Sequence, residues 1–286
     1  MRKLKIFLDM IKFEHTIFAL PFAYMGAVLG GVLHNDHLPS WMQMLWITLA
    51  MVGARTAGMA LNRVIDRTID ALNPRTSSRA LPAGLMKTAE AWLFIILSFG
   101  LFFLATSQLD PLAMKLMPIA IVMLVGYSYM KRFTWLCHLF LGLTNGLAAL
   151  GGWVAITGEL NATAFVFYIT IALWIAGFDI LYACQDAEFD RDAKLHSIPT
   201  RFGIRASLWI AKGFHIGTAV GLLVLYVITD LSWWYVAGML ISYLILFYEH
   251  RIVSPNDLSR LNTAFFTMNG ILAVILFVFT WIDVIV

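Results

Sequence analysis

The stretch Asn62-Arg-Val-Ile-Asp66-Arg-Thr-Ile-Asp70 directly continues the predominantly apolar run of residues 41–60. On a helix, residues four apart share a face, so the Asn and the two Asp side chains are predicted to form one ladder about 12 Å long. An ionised side chain at the centre of a membrane helix costs about 2.5–3.5 kcal/mol, and such residues usually face a cavity. This stretch therefore predicts a polar site at the end of a membrane-spanning helix.

A second acidic stretch, residues 179–192, follows another apolar run. Its Asp179, Tyr182, Asp186 and Asp190 are spaced i, i+3, i+7 and i+11, which places them on one helical stripe. Apolar residues fill the other faces of both stretches. We expect the two helices to bury those faces in protein or lipid and to direct their carboxylates into a common cavity.

The chain has 286 residues, of which 60% are hydrophobic and 13% are charged, and its mean hydropathy is +0.80. Runs of about 20 apolar residues, long enough to cross a hydrocarbon layer of roughly 30 Å, recur along the whole sequence. They predict an all-α, polytopic membrane protein, a single domain over residues 1–286 with about nine helices around a central cavity. The predicted spans are residues 16–34, 41–60, 90–108, 111–130, 135–157, 161–184, 207–229, 231–249 and 262–284.

The basic residues are concentrated on one side of this predicted topology, although the net charge is only +3. The residues on the side of the N-terminus are Arg2, Lys3, Lys5, Lys12, Arg63, Arg67, Arg75, Arg79, Lys87, Lys131, Arg132, Arg191, Lys194, Arg201, Arg205, Arg251 and Arg260. The opposite connections contain Lys115 alone. Because positive charge marks the cytoplasmic side, the N-terminus, both acidic stretches and the cavity mouth are predicted to be cytoplasmic, and the C-terminus external. We expect an integral, multi-pass protein of a bacterial plasma membrane, with no nucleic-acid partner.

Asp66 and Asp186 lie 120 residues apart, and each follows an even-numbered span. Each acidic stretch also precedes a basic loop, Arg79-Ala-Leu-Pro-Ala-Gly84 in one case and Ile198-Pro-Thr-Arg-Phe-Gly203 in the other. This four-span offset predicts an internal repeat of two similar halves.

Other features of the sequence are given structural roles. Cys137 and Cys184 are far apart and lie within or beside predicted spans, so neither a disulfide framework nor a zinc site is expected. Glu14 and His15 interrupt the approach to the first apolar run, which argues against a cleavable signal peptide. We favour a surface pair for these two residues over a pair inside the cavity. The many Gly residues of spans one and five, including Gly151-Gly152, predict close helix packing.

The acidic stretches offer Asn and Asp oxygens, which are hard ligands suited to Mg²⁺. Mg²⁺ usually sits between one or two protein carboxylates and substrate phosphates, so two such helices facing each other predict ions held about a diphosphate. Nearby cations are expected to complete the neutralisation, and Arg is well shaped for bidentate phosphate contacts. These cations are Arg67, Arg75 and Arg79 after the first stretch, and Arg191, Lys194 and Arg201 after the second.

The alternative is that such charges belong to solvated connections, which are the commonest basic loops at a membrane surface. We favour that interpretation for Arg75, Lys87, Arg205 and Lys212 individually. Glu188 and Asp192 lie off the second acidic stripe and are equally consistent with surface charges. Residues 127–134, which join aromatic side chains to Lys131 and Arg132, fit either an aromatic belt with orientation charges or a cationic pocket for a carboxylate.

With these stretches in place, the chain resembles the UbiA superfamily of intramembrane prenyltransferases over nearly its whole length. The family's Asn-x-x-x-Asp-x-x-x-Asp pattern is matched by Asn62, Asp66 and Asp70, and its Asp-x-x-x-Asp pattern by Asp186 and Asp190. The segments similar to the 4-hydroxybenzoate polyprenyltransferase branch are residues 10–16, 79–82, 130–134 and 197–203. The loop Arg79-Ala-Leu-Pro82 departs from the more usual Arg-Pro-Leu-Pro.

The resemblance implies a Mg²⁺-dependent transfer of a polyprenyl group from polyprenyl diphosphate to an aromatic acid, 4-hydroxybenzoate or a relative, in ubiquinone or menaquinone biosynthesis. The implied metal ligands are Asn62, Asp66, Asp186 and Asp190. The implied catalytic residues are Asp66, Asp70, Asp179 and Asp190, of which Asp70 and Asp179 are candidates for organising a second metal or the acceptor. Diphosphate binding is expected from Arg67, Arg79, Lys194 and Arg201, and acceptor binding from Lys131, Arg132 and Tyr182. Naphthoate, heme, chlorophyll or lipid precursors remain alternative acceptors.

Other classes of membrane protein fit the sequence less well. A secondary transporter should carry its polar residues near mid-membrane on interrupted helices, whereas here they lie at span ends beside the larger loops. A CDP-alcohol phosphotransferase should contain an Asp-Gly-x-x-Ala-Arg signature, which is absent. An accessory membrane subunit without chemistry would leave the paired acidic ladders unexplained.

Overall fold

The computed structural model describes residues 2–11 and 16–286, and their regular structure is helical apart from one isolated bridge between Ser254 and Asp257. In chain order the helices are α1 (Arg2–Met10), α2 (Thr16–Asn35), α3 (Trp41–Ile65), α4 (Arg67–Leu72), α5 (Thr88–Thr106), α6 (Pro111–Met130), α7 (Cys137–Thr157), α8 (Ala162–Ala183), α9 (Ala187–Asp192), α10 (Ile198–Ile228), α11 (Trp233–Ile252) and α12 (Asn269–Ile285). A 3₁₀ turn (Cys184–Asp186) follows α8, and a π-helical turn (Thr263–Met268) precedes α12. The predicted all-α fold class is confirmed.

Seven helical segments in the described part of the chain are long and apolar enough to cross a membrane. They are α3, α5, α6, α7, the segment Ala162–Asp192 that begins with α8, α10, and the segment Thr263–Ile285 that ends with α12. The 20-residue helices α2 and α11 coincide with predicted spans one and eight but are not among the seven. Each predicted span overlaps a helix in position, but the predicted count of nine membrane helices is not confirmed.

Apolar side chains from α2, α7, α8, α10, α11 and α12 form the main core. Its largest fully buried members are Phe22, Met25, Leu29, Trp153, Phe167, Ile171, Leu222 and Tyr235. A second core joins α1, α3 and α5 through Phe7, Leu61 and Ile95. Between them these two cores hold α3 and α8 in place, and the two acidic stretches follow from the ends of those helices.

Close packing of α2 against α7 depends on glycine. A Cβ atom at Gly26 would lie 2.1 Å from the carbonyl oxygen of Ala149, and one at Gly152 would lie 2.0 Å from that of Ala23. Neither contact is possible, so the two backbones approach as closely as they do only because both positions lack a side chain. The predicted close packing of these helices is confirmed at Gly152, whereas nothing lies within 4 Å of the Cβ position at Gly151.

Neither acidic stretch is the single regular helix that its spacing predicted. α3 ends at Ile65, Asp66 has φ −92° and ψ 4°, and α4 continues from the next residue. In the second stretch Asp186 ends the 3₁₀ turn with φ −100° and ψ 5°, and α9 follows. The amide of Asp66 still donates to the carbonyl of Asn62 (2.9 Å), and that of Asp70 to the carbonyl of Asp66 (2.7 Å). Each stretch therefore departs from α-helical geometry at an Asp, and the first does so without losing the hydrogen bonding of its backbone.

Substitution of Gly152 by Ala should lower the thermal stability of the purified protein, because α2 and α7 must separate to admit the new methyl group. Forcing extra volume into a tight contact typically costs about 1–3 kcal/mol. Gly151→Ala is the matched control, and it should leave the melting temperature unchanged or raise it, since Ala favours a helix by up to about 1 kcal/mol over Gly. Equal melting temperatures for the two variants would contradict the packing described for α2 and α7.

Candidate active site

A cavity of about 820 Å³ lies between the ends of α3, α6 and α8 and the start of α7. The residues of the sequence-predicted site that line it are Asn62, Asp66, Asp70, Arg79, Lys131, Asp179, Tyr182, Asp186 and Asp190. Both acidic stretches thus contribute to one cavity, as their spacing predicted. Apolar side chains also line it, among them Phe22, Ile171, Trp174, Ile175 and Phe178, and the polar Arg55 and Asn145 lie in the same lining.

Asp66, at the break after α3, is 2% exposed and carries two cations. Its Oδ2 lies 2.9 Å from Lys131 Nζ, and its Oδ1 lies 3.1 Å from Arg132 Nη2. Arg132 also donates to the main-chain carbonyl of Ile65 (2.7 Å), and Asn62 donates its amide to Asp66 Oδ2 (3.0 Å). A buried carboxylate is costly unless it is paired, so these contacts tie the end of α6 to the end of α3.

Asp70 is the second buried carboxylate of the first stretch, with 5% of its surface exposed. Arg79 Nη1 donates to both of its oxygens at 2.8 Å. Thr76 donates its hydroxyl to the main-chain carbonyl of Asp70 (2.9 Å), which folds the loop after α4 back over the cavity. Arg79 therefore acts here as the counter-ion of Asp70 at the cavity wall.

Asp186 binds a residue that the sequence analysis interpreted as a solvated surface charge, Arg75. Arg75 Nε donates to Oδ1 (2.8 Å) and its Nη2 to Oδ2 (2.5 Å), and Asn73 also donates to Oδ1 (3.2 Å). Burial alone would lower the pKa of Arg75, but the hydrogen bonds to Asp186 outweigh it, and the pKa lies above its ordinary value. Arg75 is exposed, as the surface interpretation expected, but it also lines the cavity and is fixed by a partner 111 residues away in the sequence.

Tyr182 lies beside this ion pair. Its hydroxyl accepts from Arg75 Nη1 (3.4 Å), and the Arg75 guanidinium lies 5.6 Å from the ring centroid. On its other side the ring stacks on Phe265, with centroids 4.1 Å apart. Tyr182 is therefore the point at which the charged end of the cavity meets the aromatic wall.

Asp179 has a partner that sequence reasoning missed, His138 at the start of α7. His138 Nδ1 lies 2.7 Å from Asp179 Oδ2, and both side chains line the cavity. A signal was available in the sequence: His138, Leu141, Asn145 and Ala148 all line the cavity and follow helical spacing, so two polar residues share one face of an apolar helix. Asn73 and Arg75, in contrast, lie in an irregular loop whose path the sequence does not give.

Three of the sequence-predicted diphosphate ligands lie outside this cavity. Arg67 is exposed and donates to Thr88 Oγ1 (2.8 Å). Lys194 and Arg201 line a separate surface pocket of about 290 Å³, where the Arg201 guanidinium lies 5.4 Å from the ring of Trp135. Arg132 does not line the main cavity either and reaches it only through Asp66. Glu14 and His15 lie outside the described residues.

The oxygen donors at the cavity fit Mg²⁺ in kind. No group of three or more His, Cys, Asp or Glu side chains within residues 2–11 and 16–286 is arranged to bind a metal alone. Mg²⁺ does not need such a group, because it usually takes one or two carboxylates together with water and substrate phosphates. Asp66 and Asp186 also hold cationic side chains on both of their oxygens, so positive charge is stabilised at both positions.

Known proteins are similar to this chain over most of its length. A model of the UbiA prenyltransferase family matches residues 19–271. The 4-hydroxybenzoate octaprenyltransferase of Vibrio campbellii is 30% identical over 247 residues, which cover 85% of this chain and 86% of that protein. The mitochondrial 4-hydroxybenzoate polyprenyltransferase of Aedes aegypti is 31% identical over 222 residues, which cover 76% of this chain and 49% of that one.

Solved structures share the arrangement of helices. A UbiA homologue from Aeropyrum pernix K1 superposes with a TM-score of 0.86 at 29% identity, over 94% of this chain and 98% of that one. A UbiA homologue from Archaeoglobus fulgidus, bound to GPP and Mg²⁺, superposes with a TM-score of 0.79 over 98% of this chain and 100% of that one. Its identity is 20%, so this second likeness concerns the fold alone.

Loss of the Arg79 side chain should destabilise the protein, because the buried side chain of Asp70 would lose its counter-ion and both of its hydrogen bonds to Arg79. Removing one partner of a fully buried pair costs about 3–5 kcal/mol, and about 2–3 kcal/mol is expected here since Arg79 is partly exposed. Arg67→Ala is the control, with an expected change below about 0.5 kcal/mol at its exposed position. Thermal unfolding in detergent would measure both, and a stable Arg79→Ala variant would contradict the role given to this ion pair.

Proposed function

Because the chain belongs to the UbiA prenyltransferase family, we propose that it transfers a polyprenyl group from polyprenyl diphosphate to an aromatic acid, 4-hydroxybenzoate or a close relative in quinone biosynthesis. The enzyme class, a prenyltransferase, follows from the family. One observation carries the proposed reaction: a single cavity joins buried carboxylates and cations at one end to an aromatic and apolar wall at the other. An amphipathic donor with an anionic head and a hydrocarbon chain fits that division.

The diphosphate head of the donor is assigned to the charged end of the cavity. Asn62, Asp66, Asp186 and Asp190 are the residues that would hold Mg²⁺ there, and the metal would supply charge neutralisation to the departing diphosphate. Arg75 and Arg79 line the same end and are held in place by carboxylates, so their guanidinium groups are fixed before the donor arrives. Pre-positioned cations of this kind stabilise negative charge as it develops.

The reaction breaks the bond between C1 of the prenyl chain and its diphosphate oxygen, and the bonding electrons leave with the diphosphate. The resulting allylic cation must be kept from water until the aromatic ring attacks it. Trp174, Phe178 and the neighbouring apolar side chains exclude water from that part of the cavity. A ring carbon then forms the new bond to C1, and the ring loses its proton.

The acceptor is assigned to the part of the cavity between the two acidic stretches. Lys131 lines the cavity beside Asp66 and offers a positive charge to the carboxylate of an aromatic acid, while Arg132 holds Asp66 from behind. Tyr182 presents its ring to the same space. Asp70 is engaged by Arg79, and Asp179 by His138, so both act in this proposal as supports for side chains of the cavity wall.

The protein is an integral membrane protein, and we place its charged cavity end at the cytoplasmic face of a bacterial plasma membrane. The connections that carry Arg75, Arg79, Lys131 and Arg191 all meet at that end, as the excess of positive charge on cytoplasmic loops requires. This orientation would put the N-terminus inside and the C-terminus outside. It also agrees with an acceptor that is a soluble aromatic acid and a donor that arrives from the lipid.

Purified protein incubated with Mg²⁺, geranyl diphosphate and a panel of aromatic acids that includes 4-hydroxybenzoate should form a prenylated acid, detected by mass spectrometry. Asp66→Asn and Asp186→Asn should each reduce the rate at least ~100-fold, and EDTA should abolish it. Asp192→Asn is the matched control, since this exposed residue belongs to the second stretch but does not line the cavity. Product formation that is unaffected by EDTA, or by the Asp66 substitution, would refute the metal assignment.

The structure also separates two groups of candidate diphosphate ligands by their position. Arg75→Gln should raise the KM for the prenyl diphosphate about tenfold or more, because it removes a bidentate cation from the charged end of the cavity. Arg201→Gln should change that KM less than about twofold, since Arg201 lines the separate surface pocket. Steady-state kinetics with the donor varied would measure both. The reverse order of effects would assign diphosphate binding to the surface pocket that contains Arg201.

A further inference from the structure

A buried polar cluster lies behind the aromatic wall, between α8, α10, α11 and α12. Glu249 of α11 is 0% exposed, and its Oε1 accepts from Asn269 Nδ2 (3.2 Å). His215 of α10 lies 3.8 Å from Glu249 Oε2, and its two ring nitrogens lie 2.9 Å from His250 Nε2 and 3.3 Å from the carbonyl of Trp174. None of these four side chains lines the cavity. The cluster therefore lies outside the cavity, and the reaction proposed above makes no use of it.

Asn269 connects this cluster to the π-helical turn that precedes α12. Its side-chain nitrogen donates to the carbonyl oxygens of Ala264 (3.0 Å) and Phe265 (3.2 Å) as well as to Glu249. A π turn is wider than an α turn and shifts the register of the residues within it, and such turns are frequent at functional sites. Asn269 thus bonds directly to the carbonyls of the turn, and Glu249 fixes the orientation of its amide.

The wide turn places two consecutive aromatic residues at the cavity. Phe265 and Phe266 both line it, and the Phe265 ring stacks on Tyr182 (4.1 Å) and meets Phe178 edge-on (5.2 Å). Phe178 in turn packs against Trp174, with centroids 5.0 Å apart. The rings therefore form a continuous wall that begins beside the Arg75–Asp186 ion pair. A prenyl chain whose diphosphate occupies the charged end would lay its first isoprene units along this wall.

The acidic side chain of Glu249 does not stabilise the buried core in which it lies. A buried carboxyl group without a cationic partner is more costly than an apolar side chain of the same size. Within the described residues, Glu249 Oε2 and Asn269 Oδ1 have no hydrogen-bond partner. Ionisable residues kept inside a membrane domain at such a cost usually serve function. The contact that Glu249 does make, to the amide of Asn269, indicates what that function is.

We propose that Asn269 and Glu249 are positioning residues, which hold the Thr263–Met268 turn so that Phe265 completes the wall against the first isoprene units of the donor. The inference rests on the proposed function for the identity of the donor, and goes beyond it in naming residues that act from outside the cavity. Through the position of Phe265, these two residues control selectivity for the length of the donor. The pair sets how strongly the enzyme prefers a donor with two isoprene units over a donor with one.

The test is the ratio of affinities for geranyl diphosphate and dimethylallyl diphosphate, measured with Mg²⁺ on the full chain in lipid nanodiscs. A ratio is independent of the fraction of protein that is folded. Phe265→Ala should reduce the preference for geranyl diphosphate at least ~3-fold, about the value of one buried methylene group. Asn269→Ala and Glu249→Leu should reduce it in the same direction, and Glu249→Gln should change it less than about twofold because Gln still accepts from Asn269.

Two controls separate positioning from loss of stability. Leu276→Ala, at a buried position of α12 that does not line the cavity, should lower the melting temperature and leave the ratio unchanged. Adding Asn269→Ala to Phe265→Ala should have little further effect on the ratio, since both remove the same ring contact. Unchanged ratios in Asn269→Ala and Glu249→Leu, or additive effects in the double variant, would overturn the proposal. Because donor binding needs no acceptor, absence of product with every aromatic acid would count against the proposed reaction alone.

Discussion

The need to neutralise buried carboxylates controls how the charged end of this protein is built. Asp66 and Asp70 are nearly inaccessible to solvent, and a charge in such a position is tolerated only when it is paired and hydrogen-bonded. Asp66 takes its partners from the end of α6, and Asp70 from the loop after α4. The first pairing joins parts of the chain that are 66 residues apart, whereas the pairing of Asp70 with Arg79 closes a local loop. The cavity is thus closed by the same charges that give it its chemistry.

A carboxylate of the second acidic stretch is also paired with a cation, which comes from the first half of the chain. Asp186 pairs with Arg75, and Asn73 reinforces the contact. The main chain adds a further link, since His196 N donates to the carbonyl of Lys131 (2.7 Å). The loop after the first stretch therefore contacts the second stretch, and the loop after the second stretch contacts the connection between α6 and α7. A metal or a diphosphate that entered would meet groups already held in place, which lowers the reorganisation needed for catalysis.

The two halves of the chain also share a local backbone arrangement. In each, an Asp with nearly the same backbone angles precedes a six-residue helix; Asp66 directly follows α3, whereas a 3₁₀ turn joins α8 to Asp186. The sequence predicted an internal repeat from the 120-residue offset of Asp66 and Asp186, and this parallel between α3–α4 and α8–α9 agrees with it. The i, i+4 spacing did not predict the break in helical geometry at Asp66 or at Asp186. Regular i, i+4 spacing is satisfied by a straight helix and by one that changes direction while keeping its hydrogen bonds.

The sequence by itself determined the fold class, the family and the acidic residues of the cavity. Apolar runs of membrane length allow little except helices, and carboxylates at the ends of such runs are too costly to be accidental. Only the tertiary structure decided which cation meets which carboxylate. Arg75, expected at the surface, binds Asp186, whereas Lys194 and Arg201 lie in a separate pocket. The buried pair of Glu249 and Asn269 was likewise invisible in the sequence. Such partners come from loops and helices far apart in the chain, and periodicity reports only neighbours within one helix.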